Sequence, residues 1–226
     1  MRINKLLSNY GICSRKEANR IIEDGRIIVN GKLCTKGQWV EETDEILLDN
    51  KPLKPMEKVY IALNKPEGIT CTAAKEVKDN IIDFMNYGKY IFPVGRLDKE
   101  SEGLIIMTND GEIANKILES QNNHEKEYIV KIDKPFDDSF LKGMSNGVEI
   151  LNVKTRPCTV TRINEDTFRI ILTQGLNKQI RRMTKVFGYT VIKLKRIRIM
   201  NIKIDGIDKG KWRNLTLEEI EKLKTH

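Results

Sequence analysis

The segment from residue 49 to residue 55, DNKPLKP, constrains the fold of this 226-residue chain more than any other feature. Its two prolines lack the backbone N–H that a helix or a central strand needs, and the segment offers little apolar content to bury. It therefore predicts a boundary between separately packed units. We expect a compact head over residues 1–50, a flexible linker over 51–58 and a larger body over 59–226, since the length allows one small and one larger core.

The head has the pattern of two helices followed by a hairpin and one more strand. Apolar residues recur at helical spacing over residues 3–10 and stop at a glycine. Ser14 is typical of a helix N-cap, and Glu17 three residues later completes a capping box. Asn30-Gly31 lies between two short β-rich runs and favours a tight hairpin. Residues 46–48 predict a further strand.

The body alternates short β-rich runs with helical patterns. Strands are predicted at 59–63, 103–107, 127–132, 156–162, 167–173 and 190–204. Helices are predicted at 80–85, 111–120, 137–144, 177–186 and 217–224. Because there is no regular strand–helix–strand alternation, we expect an α+β body. Its sheet should be mixed, mostly antiparallel and flanked by helices, unlike a Rossmann domain.

Charge is unevenly distributed along the chain. Forty Lys and Arg residues against 32 Asp and Glu residues give a formal net charge of +8, which is typical of polyanion binders and of merely basic proteins alike. Between Gln174 and Ile204 there is no acidic residue, yet the segment carries nine basic ones: Lys178, Arg181, Arg182, Lys185, Lys193, Lys195, Arg196, Arg198 and Lys203. A solvated helix face normally mixes signs, so this segment favours a nucleic-acid-binding face.

Cysteine and histidine content argues against a metal or disulfide framework. The four cysteines are far apart without a C-x-x-C pair, and the chain has only two histidines. We expect reduced thiols and no metal. No apolar run approaches the roughly 20 residues of a membrane span, and the N-terminus lacks a signal-peptide core. These features predict a cytoplasmic protein with no membrane association.

Asp98 is the candidate reactive carboxylate. An aspartate between Leu97 and Lys99 is, taken alone, typical of a turn. Glycines bracket it at positions 95 and 103, and an apolar strand follows directly, so the residue is expected in a loop at the edge of a core sheet. Glu102 offers a second carboxylate, as in a glycosidase, but such a pairing arises easily by chance and receives little weight.

Motifs in both parts of the chain follow one another in a fixed order. Those of the head resemble the S4-type RNA-binding module: RINK (2–5), CSRKEA (13–18), GRI (25–27) and VNG (29–31). Those of the body resemble RsuA-type bacterial ribosomal-RNA pseudouridine synthases: NKPEG (64–68), GRLDKESEGL (95–104), KEY (126–128), GLNKQIRRM (175–183) and LKRIRI (194–199). The variants NHEKEY (123–128) and RIMN (198–201) resemble the RluF branch, which acts on 23S rRNA.

The resemblance implies an activity and three catalytic positions. The enzyme would convert a uridine to pseudouridine, with Asp98 as nucleophile attacking either the ribose C1′ or the base C6. Arg181 would pair with Asp98 across the pocket, and Tyr128 would stack on an extruded uracil. Ile180 would form an apolar wall of the base pocket. The chemistry involves no redox change or phosphate transfer, so no cofactor is expected.

Several basic side chains are candidate RNA contacts. The resemblance and the local charge pattern together single out Lys65, Arg96, Lys178, Arg182, Arg196 and Arg198 in the body, and Arg15, Lys16 and Arg26 in the head. Arg196 and Arg198 alternate with apolar residues, so at least one of them is expected to point away from the core towards RNA.

The sequence leaves alternatives open both for the RNA substrate and for the class of function. The partner is expected to be RNA, 23S rRNA first, with a tRNA anticodon or a 16S rRNA uridine as alternatives. A non-catalytic S4-containing protein of ribosome assembly would use the same basic face. A monomer is expected, since no apolar stripe is left over after the helices and strands are assigned.

Overall fold

A computed structural model describes residues 1–41, 43–74, 76–119 and 123–225. The head begins with α1 (Ile3–Asn9), α2 (Arg15–Glu23), β1 (Ile27–Val29), β2 (Lys32–Leu33), β3 (Ile46–Leu48) and β4 (Lys51–Pro52). The Ser14 hydroxyl accepts a hydrogen bond from the Glu17 amide at 3.1 Å, which confirms the predicted N-cap. The four strands form an antiparallel sheet in the order β2-β1-β3-β4.

Residues 51–58, which the sequence predicted as a flexible linker, form hydrogen bonds with the head. Lys51 and Pro52 form strand β4 at the edge of the head sheet, where a proline is tolerated because its missing N–H is not needed. Further on, the Met56 amide donates to the Tyr10 carbonyl at 2.8 Å, and Lys58 Nζ donates to the Asn9 carbonyl at 2.5 Å. The segment between head and body is therefore hydrogen-bonded to the end of α1.

The described residues of the body form sixteen further elements. They are β5 (Tyr60–Lys65), α3 (Ile81–Met85), β6 (Phe92–Pro93), β7 (Glu102–Thr108), α4 (Gly111–Leu118), β8 (Lys126–Ile132), α5 (Asp138–Ser145), β9 (Glu149–Ile150), β10 (Val153–Lys154), β11 (Thr159–Arg162), β12 (Thr167–Leu172), α6 (Gln179–Val186), β13 (Val191–Ile199), β14 (Ile202–Lys203), β15 (Trp212–Asn214) and α7 (Leu217–Thr225). The predicted strand 190–204 is divided by a turn at residues 200–201, and residue 120 of the helix predicted at 111–120 lies outside the described residues.

A nine-stranded sheet organises the body. Its main path is β11-β12-β8-β13-β7-β5-β15, with β14 beside β13 and β6 beside β7. Strands β7 and β13 pair in parallel, and their other partners on this path pair antiparallel. This arrangement confirms the predicted α+β class with a mixed, mostly antiparallel sheet.

The two faces of the sheet bury two separate cores. Alternation along β7 sends Ile105 and Met107 to one face and Leu104 and Ile106 to the other, as the strand pleat requires. Side chains of α3, α5 and α6 cover the first face, and those of α4 and α7 cover the second. In the described ranges, no helix is long and apolar enough to cross a membrane.

Candidate active site

A cleft of about 670 Å³ opens on the face of the sheet that carries α6. Its walls come from the loop between β6 and β7, the first residues of β8, the segment leading into α6, and β13. The volume lies in the range of pockets that enclose small-molecule-sized ligands. Asp98, Tyr128, Ile180 and Arg181 all line this cleft, although they are up to 83 positions apart (98 to 181).

Asp98 is held on the loop that precedes β7. The Ser101 amide donates to the Asp98 carbonyl at 3.0 Å, and the Gly68 amide donates to the Lys99 carbonyl at 2.8 Å. On the other side, the Leu97 amide donates to Cys71 Sγ at 3.4 Å. The side chain of Asp98 itself is 29% exposed. Its backbone is thus fixed while its carboxylate stays accessible from the cleft.

Gly103 lets two strands meet directly behind this loop. In the parallel register of β7 and β13, Gly103 lies opposite Arg196. Gly103 has a φ of +111°, and a Cβ added there would lie 2.6 Å from the Arg196 amide nitrogen and closer still to its carbonyl oxygen. No other residue type fits such an approach, so the glycine sets the spacing between the Asp98 loop and the strand that carries Arg196.

Arg181 spans the cleft wall between α6, β13 and the Asp98 loop. Its Nη1 donates to the Val191 carbonyl at 3.1 Å, and its Nη2 donates to the Glu100 carbonyl at 3.2 Å and to Ser101 Oγ at 3.3 Å. These bonds orient the guanidinium so that Nε lies 4.0 Å from Asp98 Oδ2. The structure thus brings Asp98 and Arg181 together as an ion pair, at a distance slightly too long for a hydrogen bond.

Tyr128 and Ile180 supply apolar surface to the same cleft. Both are buried, and Tyr128 stands opposite Arg196 in the antiparallel register of β8 and β13. The Arg196 guanidinium carbon lies 6.0 Å from the centre of the Tyr128 ring. An aromatic face and a branched aliphatic side chain at one cleft can enclose a planar base.

Lys65 does not fit its predicted role as a phosphate contact. Its side chain is fully buried, and Nζ donates to the carbonyls of Pro66 and Ile69 at 2.9 Å each. Burial lowers the pKa of Lys65 from its ordinary value. A phosphate on the surface cannot reach this ammonium group, so the expectation is wrong. Lys65 instead ties the end of β5 to the loop that follows it.

Arg196 and Arg198 point in opposite directions because of a β-bulge. Their partners on β8, Tyr128 and Glu127, are adjacent, although the arginines are two positions apart. Arg196 is 3% exposed and lines the cleft. Arg198 faces the other way and bonds Glu127 at 2.6 Å and Glu125 at 2.8 Å. Of the two arginines, Arg196 therefore enters the cleft and Arg198 is paired with glutamates, so the predicted RNA contact stays a prediction for Arg196.

The remaining basic candidates of the body lie near the cleft with different partners. Lys178 pairs with Glu100 at 3.0 Å. Arg182 donates to the carbonyl and the side-chain oxygen of Asn177 at 3.0 and 3.2 Å, so it braces the segment that leads into α6. Arg96 lines the cleft and is exposed, which leaves it accessible to a ligand.

The head residues also fall into two groups. Arg15 and Lys16 are exposed in the first turn of α2. Arg26 forms a two-pronged salt bridge with Asp49 at 2.7 and 2.5 Å, and that hydrogen-bonded carboxylate raises the pKa of Arg26. A phosphate would have to compete with Asp49 for this guanidinium.

Sequence reasoning missed three residues that line the cleft. Cys71 supports the Asp98 loop through the bond described above. His124 is buried and donates from Nδ1 to the Ile117 carbonyl at 3.2 Å, while its Nε2 has no partner among the described residues. Lys126 is half-buried, and burial followed by repulsion from Arg196 lowers its pKa. The only sequence signal for the last two was their position just before Tyr128.

The carboxylate alternative at Glu102 is not supported by geometry. Glu102 is buried and pairs with Lys193 at 3.1 Å and Lys209 at 2.6 Å, and it does not line the cleft. Within residues 1–41, 43–74, 76–119 and 123–225, no group of three or more His, Cys, Asp or Glu side chains is placed to bind a metal ion.

Comparisons with known proteins agree with this geometry. The family described as RNA pseudouridylate synthase matches residues 59–185, and the S4 domain matches residues 1–46. The chain is 50% identical over 223 residues to the dual-specificity RNA pseudouridine synthase RluF of Escherichia coli K12, covering 97% of this chain and 77% of that protein. It is 31% identical to the ribosomal large subunit pseudouridine synthase B of Bacillus subtilis, covering 99% and 95%.

A solved structure supports the same assignment. A crystal structure of a pseudouridylate synthase superposes with a TM-score of 0.73 at 27% sequence identity and covers 99% of both chains. The family match extends over more than half of the chain, from β5 to α6. Together these matches confirm the resemblance found in the motifs, and the chain belongs to the RNA pseudouridylate synthase family, as an RNA pseudouridine synthase with an S4 domain.

Proposed function

We propose that this enzyme isomerises a uridine of 23S rRNA to pseudouridine, with Asp98 as the nucleophile and the uridine extruded into the cleft. The observation that carries the proposal is the pairing of an accessible Asp98 carboxylate with the Arg181 guanidinium at 4.0 Å, in a cleft that also presents Tyr128. An arginine fixed by backbone carbonyls holds a positive charge beside the carboxylate and restricts its orientation, and a carboxylate placed in this way can act as a nucleophile.

The chemistry requires one group that adds and then leaves. In one route an Asp98 oxygen bonds to the ribose C1′ while the C1′–N1 bond breaks and its electron pair stays on the uracil. The base turns within the cleft, C5 bonds to C1′, and the carboxylate departs. In the other route an Asp98 oxygen adds first to C6 of the base, and the electron pair of the C5–C6 double bond moves onto the C4 carbonyl. The C1′–N1 bond then breaks, C5 bonds to C1′, and the Asp98–C6 bond breaks as the double bond re-forms and the carboxylate departs. In both, N1 gains a proton and C5 loses one, so atoms balance without a cofactor.

The target assignment draws on the relatives and on the charge of the cleft. The RluF enzyme that is 50% identical over 223 residues carries the name "dual-specificity", and the Bacillus relative is named for the large ribosomal subunit. We assign 23S rRNA as the main substrate, with a tRNA uridine as the second candidate. The head (1–50), joined through 51–58 to the body (59–226), would raise affinity through effective concentration, using Arg15 and Lys16.

Mapping pseudouridines in cellular RNA tests the proposal. Wild type and Asp98→Asn are expressed in cells that lack the gene, and pseudouridines are located separately in 23S rRNA, 16S rRNA and tRNA. Wild type should restore a 23S site, and Asp98→Asn should restore none while binding a 23S fragment almost as tightly, since it removes the nucleophile and keeps the shape of the side chain.

A matched control separates chemistry from loss of charge. Asp205→Asn changes an exposed aspartate that does not line the cleft, and it should restore the modification fully. Modification restored only in 16S rRNA would contradict the target assignment. Activity retained by Asp98→Asn would contradict the assignment of the nucleophile.

A further inference from the structure

Two cations line the cleft without a carboxylate partner among the residues that the structure describes. Lys126 and Tyr128 are two positions apart on β8 and share one face of the sheet, and Arg196 stands opposite Tyr128 on β13. All three line the cleft. Lys126 and Arg196 therefore stand on the same side of the sheet as the aromatic ring that would hold the base.

The Arg196 guanidinium has an N–H donor group without an acceptor among the described residues. Its Nε donates to the Leu104 carbonyl at 2.7 Å, which fixes the group, while the buried Nη2 has no partner among the described residues. A buried donor without an acceptor costs free energy, and such a cost is common where a ligand supplies the acceptor. Arg196 is 3% exposed, so bulk water does not readily relieve this cost.

Lys126 adds a second positive charge that has no ion-pair partner in the described part of the chain. Its Nζ makes only one long bond, 3.5 Å to the His124 carbonyl. Repulsion from Arg196 contributes to the lowered pKa of Lys126, so the two charges sense each other. Six Lys and Arg side chains line the cleft against two described carboxylates, Asp98 and Glu119. An anion bound between the two cations would remove their repulsion.

We propose that Lys126 and Arg196 form a phosphate-binding subsite on the cleft floor, which holds a backbone phosphate next to the extruded uridine. This inference rests on the proposed function in one respect, since it takes RNA as the ligand. A phosphate is favoured over a uracil carbonyl because a carbonyl satisfies the free Nη2 donor but cannot offset two positive charges. Bound there, the phosphate would hold the nucleotide so that its base lies against Tyr128.

The salt dependence of RNA binding tests the subsite. A 23S rRNA fragment is titrated with the Asp98→Asn protein over a range of salt concentrations, so that no product forms. Each lost phosphate contact should reduce the slope of log K against log salt by about 0.7 for single-stranded RNA. Lys126→Gln should show this reduction with about tenfold weaker binding at low salt, and Lys126→Arg should restore both.

Two further measurements make the result decisive. Phosphates around the target uridine are replaced one at a time by uncharged methylphosphonates. At one linkage the replacement should weaken RNA binding by the Asp98→Asn protein. At the same linkage it should not affect RNA binding by the protein that carries both Asp98→Asn and Lys126→Gln. Lys142→Gln, an exposed change on α5 outside the cleft lining, should keep the parent slope. Arg196→Gln is a second variant, used if thermal denaturation shows that it folds.

An unchanged slope in folded Lys126→Gln, or insensitivity of the parent protein to every methylphosphonate, would overturn the subsite. Weaker binding at an unchanged slope would also overturn it and would indicate a base carbonyl as the acceptor. The proposed function has its own readout, because pseudouridine formation by wild type on the unmodified fragment is measured separately and does not enter the slope.

Discussion

Replacing Gly103 by alanine tests whether the contact between β7 and β13 supports the active site. The added Cβ would meet the Arg196 amide nitrogen at 2.6 Å, whereas real Cβ contacts essentially never fall below 3.0 Å. The strands would have to separate by more than 0.4 Å at this point, because the Arg196 carbonyl oxygen lies still closer to the added Cβ. The neighbour is backbone in the middle of a sheet, so it cannot move aside as the end of a flexible side chain can.

Two costs add up in this variant. An alanine at a φ of +111° is strained by about 1–3 kcal/mol, and overpacking in a filled core costs about 1–3 kcal/mol. We expect a loss of roughly 2–6 kcal/mol of unfolding free energy, which for a chain of this size lowers Tm by about 4–24 °C. Activity per folded molecule should fall as well, because the Asp98 loop leads directly into Gly103.

Thermal and chemical denaturation measure the stability loss, and pseudouridine yield below the transition measures activity. Gly175→Ala is the control for stability, because an added Cβ there meets nothing within 4 Å and the residue has an ordinary φ. A Tm shift of Gly103→Ala that is no larger than that of Gly175→Ala would refute the reasoning.

Two other predictions concern the ion pairs. Arg181→Lys should lower kcat/KM by about 10- to 100-fold with little change in Tm, because one ammonium cannot span both the Val191 carbonyl and the Asp98 loop; activity within twofold of wild type would contradict this. Glu219 has a lowered pKa, chiefly through its hydrogen bond from Arg213, so its stabilising contribution is present above its ordinary pKa of 4.5 and is lost as pH falls through the lowered value. Glu219→Gln should therefore reduce Tm by about 2–4 °C at pH 7, with a gap from wild type that closes towards pH 3, and a constant gap would refute it.

Local signals in the sequence predicted local structure well. The Ser14 cap and the Asn30-Gly31 turn depend on residues within a few positions of each other, and both residues of the turn have positive φ in the structure. The α+β class followed from the alternation of such elements. The parallel pairing of β7 with β13 was not predictable, because it joins segments about ninety positions apart. Gly103 is the one position whose residue type indicates a close approach there.

The directions of the Lys65, Arg196 and Arg198 side chains could not be predicted from the sequence. The motif containing Lys65 predicted a contact but not that the side chain would point into the core. The alternation of Arg196 and Arg198 with apolar residues assumed a regular strand, and a regular strand would send both arginines to the same face. The bulge at Ile197 breaks the alternation, and a bulge depends on the partner strand as much as on the sequence of β13 itself.

The acid-free segment also shows why charge along the chain differs from charge in space. Lys178, Lys193 and Arg198 each meet a glutamate that comes from another part of the chain. These pairs offset three of the nine positive charges that the sequence places between residues 174 and 204. Arg196, inside that segment, and Lys126, outside it, are the ones that keep an unpaired positive charge on the cleft floor among the described residues. The affinity of the cleft for RNA should therefore depend on these two side chains more than on the number of basic residues in the segment.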